Sequence, residues 1–379
     1  MLNQWQDFFL DSPDQNLDVH CSRRSLRSPD SMEAELRGGK IVRSEDPLNL
    51  ETPFEALEGF ITPTDQFYVR THFPVPKIDK HKWRLRVEGR VATPFEISLT
   101  ELTQLDAQTL PVTLECAGNN RSLLEPKVKG VQWGLGAVGT ANWTGVPLSI
   151  LLERAVVSPH AREVVLEGAD GGTLDDPKAP RGQLNFARSV PLAKAGEVLL
   201  AWRMNDVDLP PKHGAPLRAI VPGWYAMASV KWLTRIIVLD RPFNGYYQTL
   251  DYAFWKNGEL TPLSEMQTKA QIARPVAGEI VPANSSVRVF GAAWACGEIA
   301  KVEVSTDAGS TWNEATLLGE STPNAWHLWE YNWRTPGTGS ATLIARAFDS
   351  RGHSQPAERD WNRGTYMINH LLPVHVTVR

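Results

Sequence analysis

The hydrophobic period of the chain changes at about residue 262, and this change narrows the possible folds more than any other feature. Beyond Thr261-Pro262 there is almost no helical period. Short alternating runs replace it: Val287-Arg288-Val289-Phe290, Ile299 to Val304 and Ala341 to Ala347. Turn signals separate them, among them Asp307-Ala308-Gly309-Ser310 and Pro336-Gly337-Thr338-Gly339. Side chains of a strand alternate between two faces, so regularly spaced short strands of this kind predict a β-sandwich.

Before residue 262 the texture is mixed. Phe67-Tyr68-Val69-Arg70 and Trp83 to Gly89 alternate and read as strands. Leu110 to Leu114 reads as a strand that stops in a tight loop at Glu115-Cys116-Ala117-Gly118, and Leu148 to Ala155 as a helix opened by Pro147. Val164 to Leu166, Leu199 to Trp202 and Leu217 to Val221 add strands. The irregular mixture predicts an α+β class rather than a doubly wound sheet. The expected organisation is a partly irregular lead-in over 1–45, a mixed domain over 46–262 and an all-β immunoglobulin-like domain over 263–379. In the lead-in, Ser22-Arg23-Arg24-Ser25-Leu26 echoes a twin-arginine export signal, but a polar stretch follows it instead of an apolar one. The compartment therefore stays open between cytoplasm and periplasm.

Composition excludes several classes of function. With 39 basic and 43 acidic residues the chain has no strong basic field, which argues against nucleic acid as a partner. No apolar run is long enough to span a bilayer. Three cysteines cannot make a disulfide framework, and neither C-x-x-C nor H-E-x-x-H is present, so structural zinc is not expected. His370 and His375 are five apart in an expected strand. Gly134-Leu135-Gly136-Ala137-Val138-Gly139 fits a dinucleotide fingerprint, but no helix opens at its second glycine, and it reads as an ordinary turn.

The heptapeptide Glu115-Cys116-Ala117-Gly118-Asn119-Asn120-Arg121 carries the most chemistry. An isolated cysteine reads first as a small buried hydrophobe. Here, though, a thiol ends a strand, small residues permit close approach and a guanidinium follows, a setting suited to a soft metal or a redox centre. A cysteine nucleophile paired with a distant histidine is the other reading of such a thiol.

That loop resembles the cysteine loop of the sulfite oxidase family of molybdenum enzymes, and further segments resemble the same family in order. They are Phe67 to Pro76, Gly130 to Gly134 with Trp143 to Leu148, His213 to Arg218, Val221 to Gly223, Ala228 to Leu233, Val302 to Trp312 and Ala345 to Asp349. The resemblance implies a cofactor of molybdenum and molybdopterin with Cys116 as the thiolate ligand of the metal. It implies catalytic roles for Arg70, Arg121 and Tyr252 at a sulfite pocket. It implies cofactor contacts from His72, Asp170 and His213, and a phosphate site of Arg218, Ser229 and Lys231. Arg218 and Lys231 lie in strongly apolar sequence read as strand, where a buried cation calls for an anion.

The activity implied is two-electron oxidation of sulfite to sulfate by a homodimer. Neither H-P-G-G nor C-x-x-C-H occurs, so an external acceptor such as a cytochrome c is expected. The same loop type serves nitrate reductases, so a molybdopterin enzyme acting on nitrate or an S-oxide is the alternative, and a binding protein without turnover is a third reading. The chain departs from the family pattern at Asn120, where a second arginine is common, and at Asp206, where glycine is usual. In Trp361-Asn362-Arg363-Gly364-Thr365-Tyr366 the family's substrate arginine aligns with Gly364, or with Arg363 after a slip of one residue.

Overall fold

The computed structural model describes residues 36–379, with side chains from 38 onward, and the export-like Ser22 to Leu26 lies outside the described residues. Glu35–Arg379 cluster as one unit. Strand dominates it. Among the described residues the α-helices are Leu99–Leu102, Leu148–Ala155 and Leu192–Ala195. The longest buries Leu148, Leu151, Leu152 and Ala155, the spacing of one helical face. Pro147 caps this helix one position ahead of its first turn, and Val156 ends it in the left-handed conformation at φ 56.

Two five-stranded sheets form the first part. One runs in the order Leu184–Pro191, Glu163–Gly172, Leu233–Leu239, Arg84–Gly89, Phe95–Ser98. Its only parallel pair joins Leu233–Leu239 to Arg84–Gly89. The other runs Val207–Asp208, Leu199–Met204, Val138–Pro147, Gln108–Glu115, with Arg218–Ile220 paired to Leu199–Met204. Residues 36–44, read from sequence as part of the lead-in, form strands of a small antiparallel sheet that also holds Asn49–Glu51 and Val69–Arg70.

Two further sheets make the sandwich. Lys269–Arg274, Ser286–Trp294, His327–Arg334 and Thr316–Leu318 form one; Ile280–Val281, Val374–Val378, Gly339–Asp349, Ile299–Ser305 and Asn313–Glu314 form the other. Val289, Val302, Trp329 and Leu343 fill the space between them. The α+β class with an immunoglobulin-like sandwich therefore stands, with fewer helices than the mixed texture suggested.

Three local expectations change. Only Val69–Arg70 pairs as strand in the Phe67 to Arg70 run, and Phe67, Tyr68 and Val69 are all buried, so that run packs on both sides. His370 precedes the last strand, Val374–Val378, instead of sharing it with His375. Lys231 lies in a loop before Leu233–Leu239, not within a strand.

One buried cluster runs from Leu85 and Leu166 through Val221 and Tyr252 to Trp294 and Trp326, so the apolar interior is continuous across residue 262. Polar groups lock the same junction. Lys269 Nζ donates to Glu115 Oε1 at 2.8 Å with both side chains at most 2% exposed. Trp294 Nε1 donates to Glu115 Oε2 at 2.9 Å, and Asn119 Nδ2 to Oε1 at 3.2 Å. A buried charge left without its partner costs about 3–5 kcal/mol. Lys269→Ala is therefore expected to lower the urea midpoint markedly, and Lys269→Met combined with Glu115→Gln to recover much of it. Equal losses in the single and double variants, followed by tryptophan fluorescence, would refute the pairing.

Candidate functional site

Cys116 follows the last residue of the strand Gln108–Glu115. Its N–H donates to Ala137 O at 2.9 Å, and its carbonyl accepts from Asn119 N at 2.8 Å, closing a tight turn. Asn120 takes the left-handed conformation at φ 73, and its amide donates to Gln271 Oε1 at 2.7 Å and Gly134 O at 3.2 Å. The Arg121 side chain folds back over Gly118, where a Cβ would meet its Nη2 at 2.3 Å, so a larger residue there would displace the guanidinium. Asn120 thereby ties the loop to the sandwich.

The glycines of the apparent dinucleotide motif serve this loop. The N–H groups of Gly134 and Gly136 donate to the Glu51 carboxylate at 2.9 and 2.8 Å. Donors already facing a carboxylate cannot cradle a phosphate. A Cβ on Gly136 would also lie 1.6 Å from Thr52 O.

Cys116 opens onto a cavity lined by Arg70, His72, Asp170, His213, Arg218, Ser229, Lys231 and Tyr252, with Tyr68, Phe186 and Met227 among its apolar walls. Nine of the ten residues singled out from sequence thus surround one space. The tenth, Arg121, stands behind the wall. Its Nη1 donates to Val131 O at 2.8 Å and its Nε to Thr365 O at 3.1 Å. Arg70 and Arg121 both favour ionisation of the Cys116 thiol, but burial outweighs them and raises its pKa.

The cavity separates into two ends. At one, His72 Nε2 and Tyr252 Oη lie 2.6 Å apart, and the imidazole stacks on Phe186 at 4.5 Å. Burial, then Arg70 and Lys231, push His72 well below the usual imidazole range, so it is neutral. Burial raises the Tyr252 phenol, which keeps its proton. Burial also opposes the Arg70 charge, but the acidic groups facing it, Asp251 among them, raise its pKa overall.

At the other end Arg218 donates to His213 O and Ser229 O, both at 3.0 Å. Ser229 Oγ accepts from Val221 N at 3.0 Å, which leaves its hydroxyl proton free to donate. Lys231 Nζ donates to Arg70 O at 2.8 Å and Lys212 O at 3.1 Å. Burial lowers Arg218 to about 10 and Lys231 well below its usual value, with Arg218 the next contribution to the latter. Asp170 is the only acid among the lining residues. Burial pushes it up to about 6 against the pull of Lys231 and Arg70.

Three lining atoms, Asp170 Oδ1, His213 Nε2 and Arg218 Nε, are buried without a hydrogen-bond partner. Native interiors seldom leave such atoms unmatched, and an unpaired buried polar atom costs about 1–3 kcal/mol. Among the described residues, Arg70, Arg218 and Lys231 form no close salt bridge, so the pocket holds more positive charge than the chain neutralises. These unmatched donors and acceptors, with a thiol alongside, fit a polar anionic cofactor bearing a soft metal.

Sequence reasoning missed two side chains here. Arg188, fully buried between Ala187 and Ser189, donates to the carbonyls of Tyr247, Gln248 and Leu263. It holds the π-helical turn Tyr247–Asp251 that delivers Tyr252. A lone arginine in the apolar Phe186-Ala187-Arg188-Ser189-Val190 run was its only signal. The second is Tyr366. Arg363 turns to Asn369 Oδ1 at 2.8 Å and Asp360 at 3.3 Å, and Gly364 O accepts from Arg359 at 3.0 Å. Neither lines the cavity, and Tyr366, which does not line it either, packs its ring 5.0 Å from that of the lining residue Tyr252. Asp206 occupies the left-handed region at φ 62, which explains a preference for glycine at that turn.

Comparison with known proteins accords with this pocket. The model for an oxidoreductase molybdopterin binding domain matches residues 72–247, and that for a Mo-co oxidoreductase dimerisation domain matches 261–379. The chain is 35% identical to mitochondrial sulfite oxidase of Mus musculus, over 89% of this chain and 65% of that protein. It is 33% identical to sulfite oxidase of Gallus gallus, over 84% and 73%. It is 31% identical to a nitrate reductase [NADH] of Petunia hybrida, over 90% and 42%. The chain thus spans 65% of the mouse enzyme's length and 73% of the chicken enzyme's. The crystal structure of the sulfane dehydrogenase SoxCD from Paracoccus pantotrophus superposes with a TM-score of 0.77 at 26% identity, covering 92% of both chains. With a thiol, unmatched cations and orphaned polar atoms around one cavity, and these matches along nearly its whole length, the chain belongs to the sulfite oxidase family of molybdenum–molybdopterin oxidoreductases.

Proposed function

We propose that the protein oxidises sulfite to sulfate: sulfite and water yield sulfate, two protons and two electrons, and the electrons leave to an external acceptor such as a cytochrome c. The observation that carries this reading is the convergence of Cys116, Arg70, His72 and Tyr252 on one buried cavity whose cations outnumber its acids. When bound, the molybdenum cofactor supplies the two-electron couple and the oxygen transfer. Cys116 would be the metal's protein ligand. Arg218, Lys231 and the Ser229 hydroxyl would hold the cofactor phosphate, with His213 Nε2 and Asp170 Oδ1 meeting polar edges of the pterin.

The chain's own groups then act on the anion. A guanidinium offers a planar fork of donors that matches an oxyanion; Arg70, which lines the cavity, supplies one, and Arg121 adds its charge from behind the wall. Both stand where burial keeps water from screening their charge. The neutral His72 and protonated Tyr252 share one proton-bearing contact, so Tyr252 can donate toward the substrate while His72 fixes its direction. The nitrate reductase match keeps reduction of nitrate as the contrasting activity, and assay of both substrates on one preparation separates them. The dimerisation-domain match over 261–379 supports a homodimer, which light scattering of the purified protein tests.

Two outcomes are expected. Outer-shell changes at metal sites cost about 10–100-fold, so Cys116→Ser should lower sulfite-dependent ferricyanide reduction by at least about 100-fold with molybdenum still present. Unchanged turnover in that variant would refute the reading. A charge-assisted hydrogen bond contributes about 1.5–3 kcal/mol, so Arg218→Gln should weaken cofactor retention by about tenfold to a hundredfold. Molybdenum content after dialysis should fall while activity per bound molybdenum is retained; full retention would place the phosphate elsewhere.

A further inference from the structure

Tyr366 is a half-buried side chain that touches three groups of the site at once. The Arg121 guanidinium carbon lies 5.2 Å from its ring centroid, within cation–π range. Its hydroxyl donates to Asp251 Oδ1 at 2.9 Å. Its ring lies 5.0 Å from that of Tyr252 at an interplanar angle of 37°. The residue before it completes the grip, since Thr365 O accepts from Arg121 Nε at 3.1 Å. Among the described residues Arg121 has no carboxylate partner; its side-chain contacts there are two backbone carbonyls, a threonine hydroxyl at 3.5 Å and this ring. The direction of its charge is therefore set largely by a segment from the far end of the chain.

We propose that Tyr366 is a positioning residue of the anion site: its ring fixes the Arg121 guanidinium behind the cavity wall, from where its charge acts on a bound oxyanion, and its hydroxyl holds Asp251 and hence the turn that delivers Tyr252. This rests on the reading of the pocket as an oxyanion site. Tyr366 is neutral, so it adds order without adding charge, and affinity for the anion depends on Arg70 and on a correctly held Arg121. The ring and the hydroxyl act on different partners, which makes their contributions separable. Tyr366→Phe removes the bond to Asp251 and keeps the ring; Tyr366→Leu removes both.

The test is calorimetric titration of the intact holoenzyme with sulfate, which reads anion binding without turnover, together with sulfite steady-state kinetics. Tyr366→Leu is expected to raise the sulfate Kd by about threefold to thirtyfold, the range of a partly desolvated cation–π contact. Tyr366→Phe should recover most of that affinity. The sulfite KM should rise with the Kd while kcat changes by less than about threefold, as for lost uniform binding. In an Arg121→Met background Tyr366→Leu should have little further effect, because the ring acts through the guanidinium.

A Leu variant that binds sulfate like the parent, at equal molybdenum content and melting temperature, overturns the proposal. So does a Phe variant as weak as Leu, or a full Leu effect without Arg121. If the Leu variant melts early, Tyr366→Met, of similar bulk without a ring, replaces it with the same expected loss. A parent protein that binds sulfate and shows the Tyr366 effect but does not oxidise sulfite would refute the activity and leave this inference standing. A parent that binds no sulfate would overturn both.

Discussion

The buried contact of Glu115 with Lys269 and Trp294 is the constraint on which the rest depends. Glu115 is the last strand residue before Cys116, so whatever holds its carboxylate also holds the start of the cysteine loop. Lys269 and Trp294 are partners in register on two paired sandwich strands. Their hydrogen bonds fix the loop from outside its own sheet. Asn120 repeats the arrangement through Gln271, two residues along the same sandwich strand from Lys269. In a low-dielectric interior such contacts are costly to break singly, which gives the loop one position and not several.

The cavity shows the opposite logic. Around Cys116 the chain gathers Arg70, Arg218 and Lys231 but only Asp170 to balance them, and leaves three polar atoms unmatched. A site built for its own stability would have paired these groups. Burial lowers the Lys231 and Arg218 pKa values, a penalty on their charge that an anionic ligand offsets, and it raises that of Asp170, which weakens the carboxyl as their counter-charge. The same burial keeps His72 neutral and Tyr252 protonated, so the Tyr252 phenol can donate a proton within the cavity.

Local pattern was a good guide where one face of an element meets water. The run Trp83 to Gly89 alternates in burial over Arg84–Gly89 as its sequence does, and the sandwich strand Gly339–Asp349 was visible for the same reason, whereas Ser286–Trp294 is buried continuously from Val289 on. It failed where elements are buried on both sides or bend for a site. Phe67 to Arg70 alternates in sequence yet buries three successive side chains, and Lys231 sits in a loop that turns its ammonium into the pocket. Nine of the ten candidate residues meet at one cavity, but only a family-like order of motifs marks them in the sequence, since residues from 70 to 252 share no local period.

The sequence by itself determined the strand-rich sandwich after residue 262, the thiol-bearing loop and the absence of a disulfide framework, because each rests on short-range pattern or on residue type. Only the tertiary structure decided that Arg121 is held behind the cavity wall, that Asn120 is a tether, that Arg188 holds the turn before Tyr252, and that Tyr366 packs against both Arg121 and Tyr252. Each of these depends on a partner far away along the chain: 244 residues separate Arg121 from Thr365, and 151 separate Asn120 from Gln271. Contacts of that span are set by how the sheets pack, and no periodicity in a single strand encodes them.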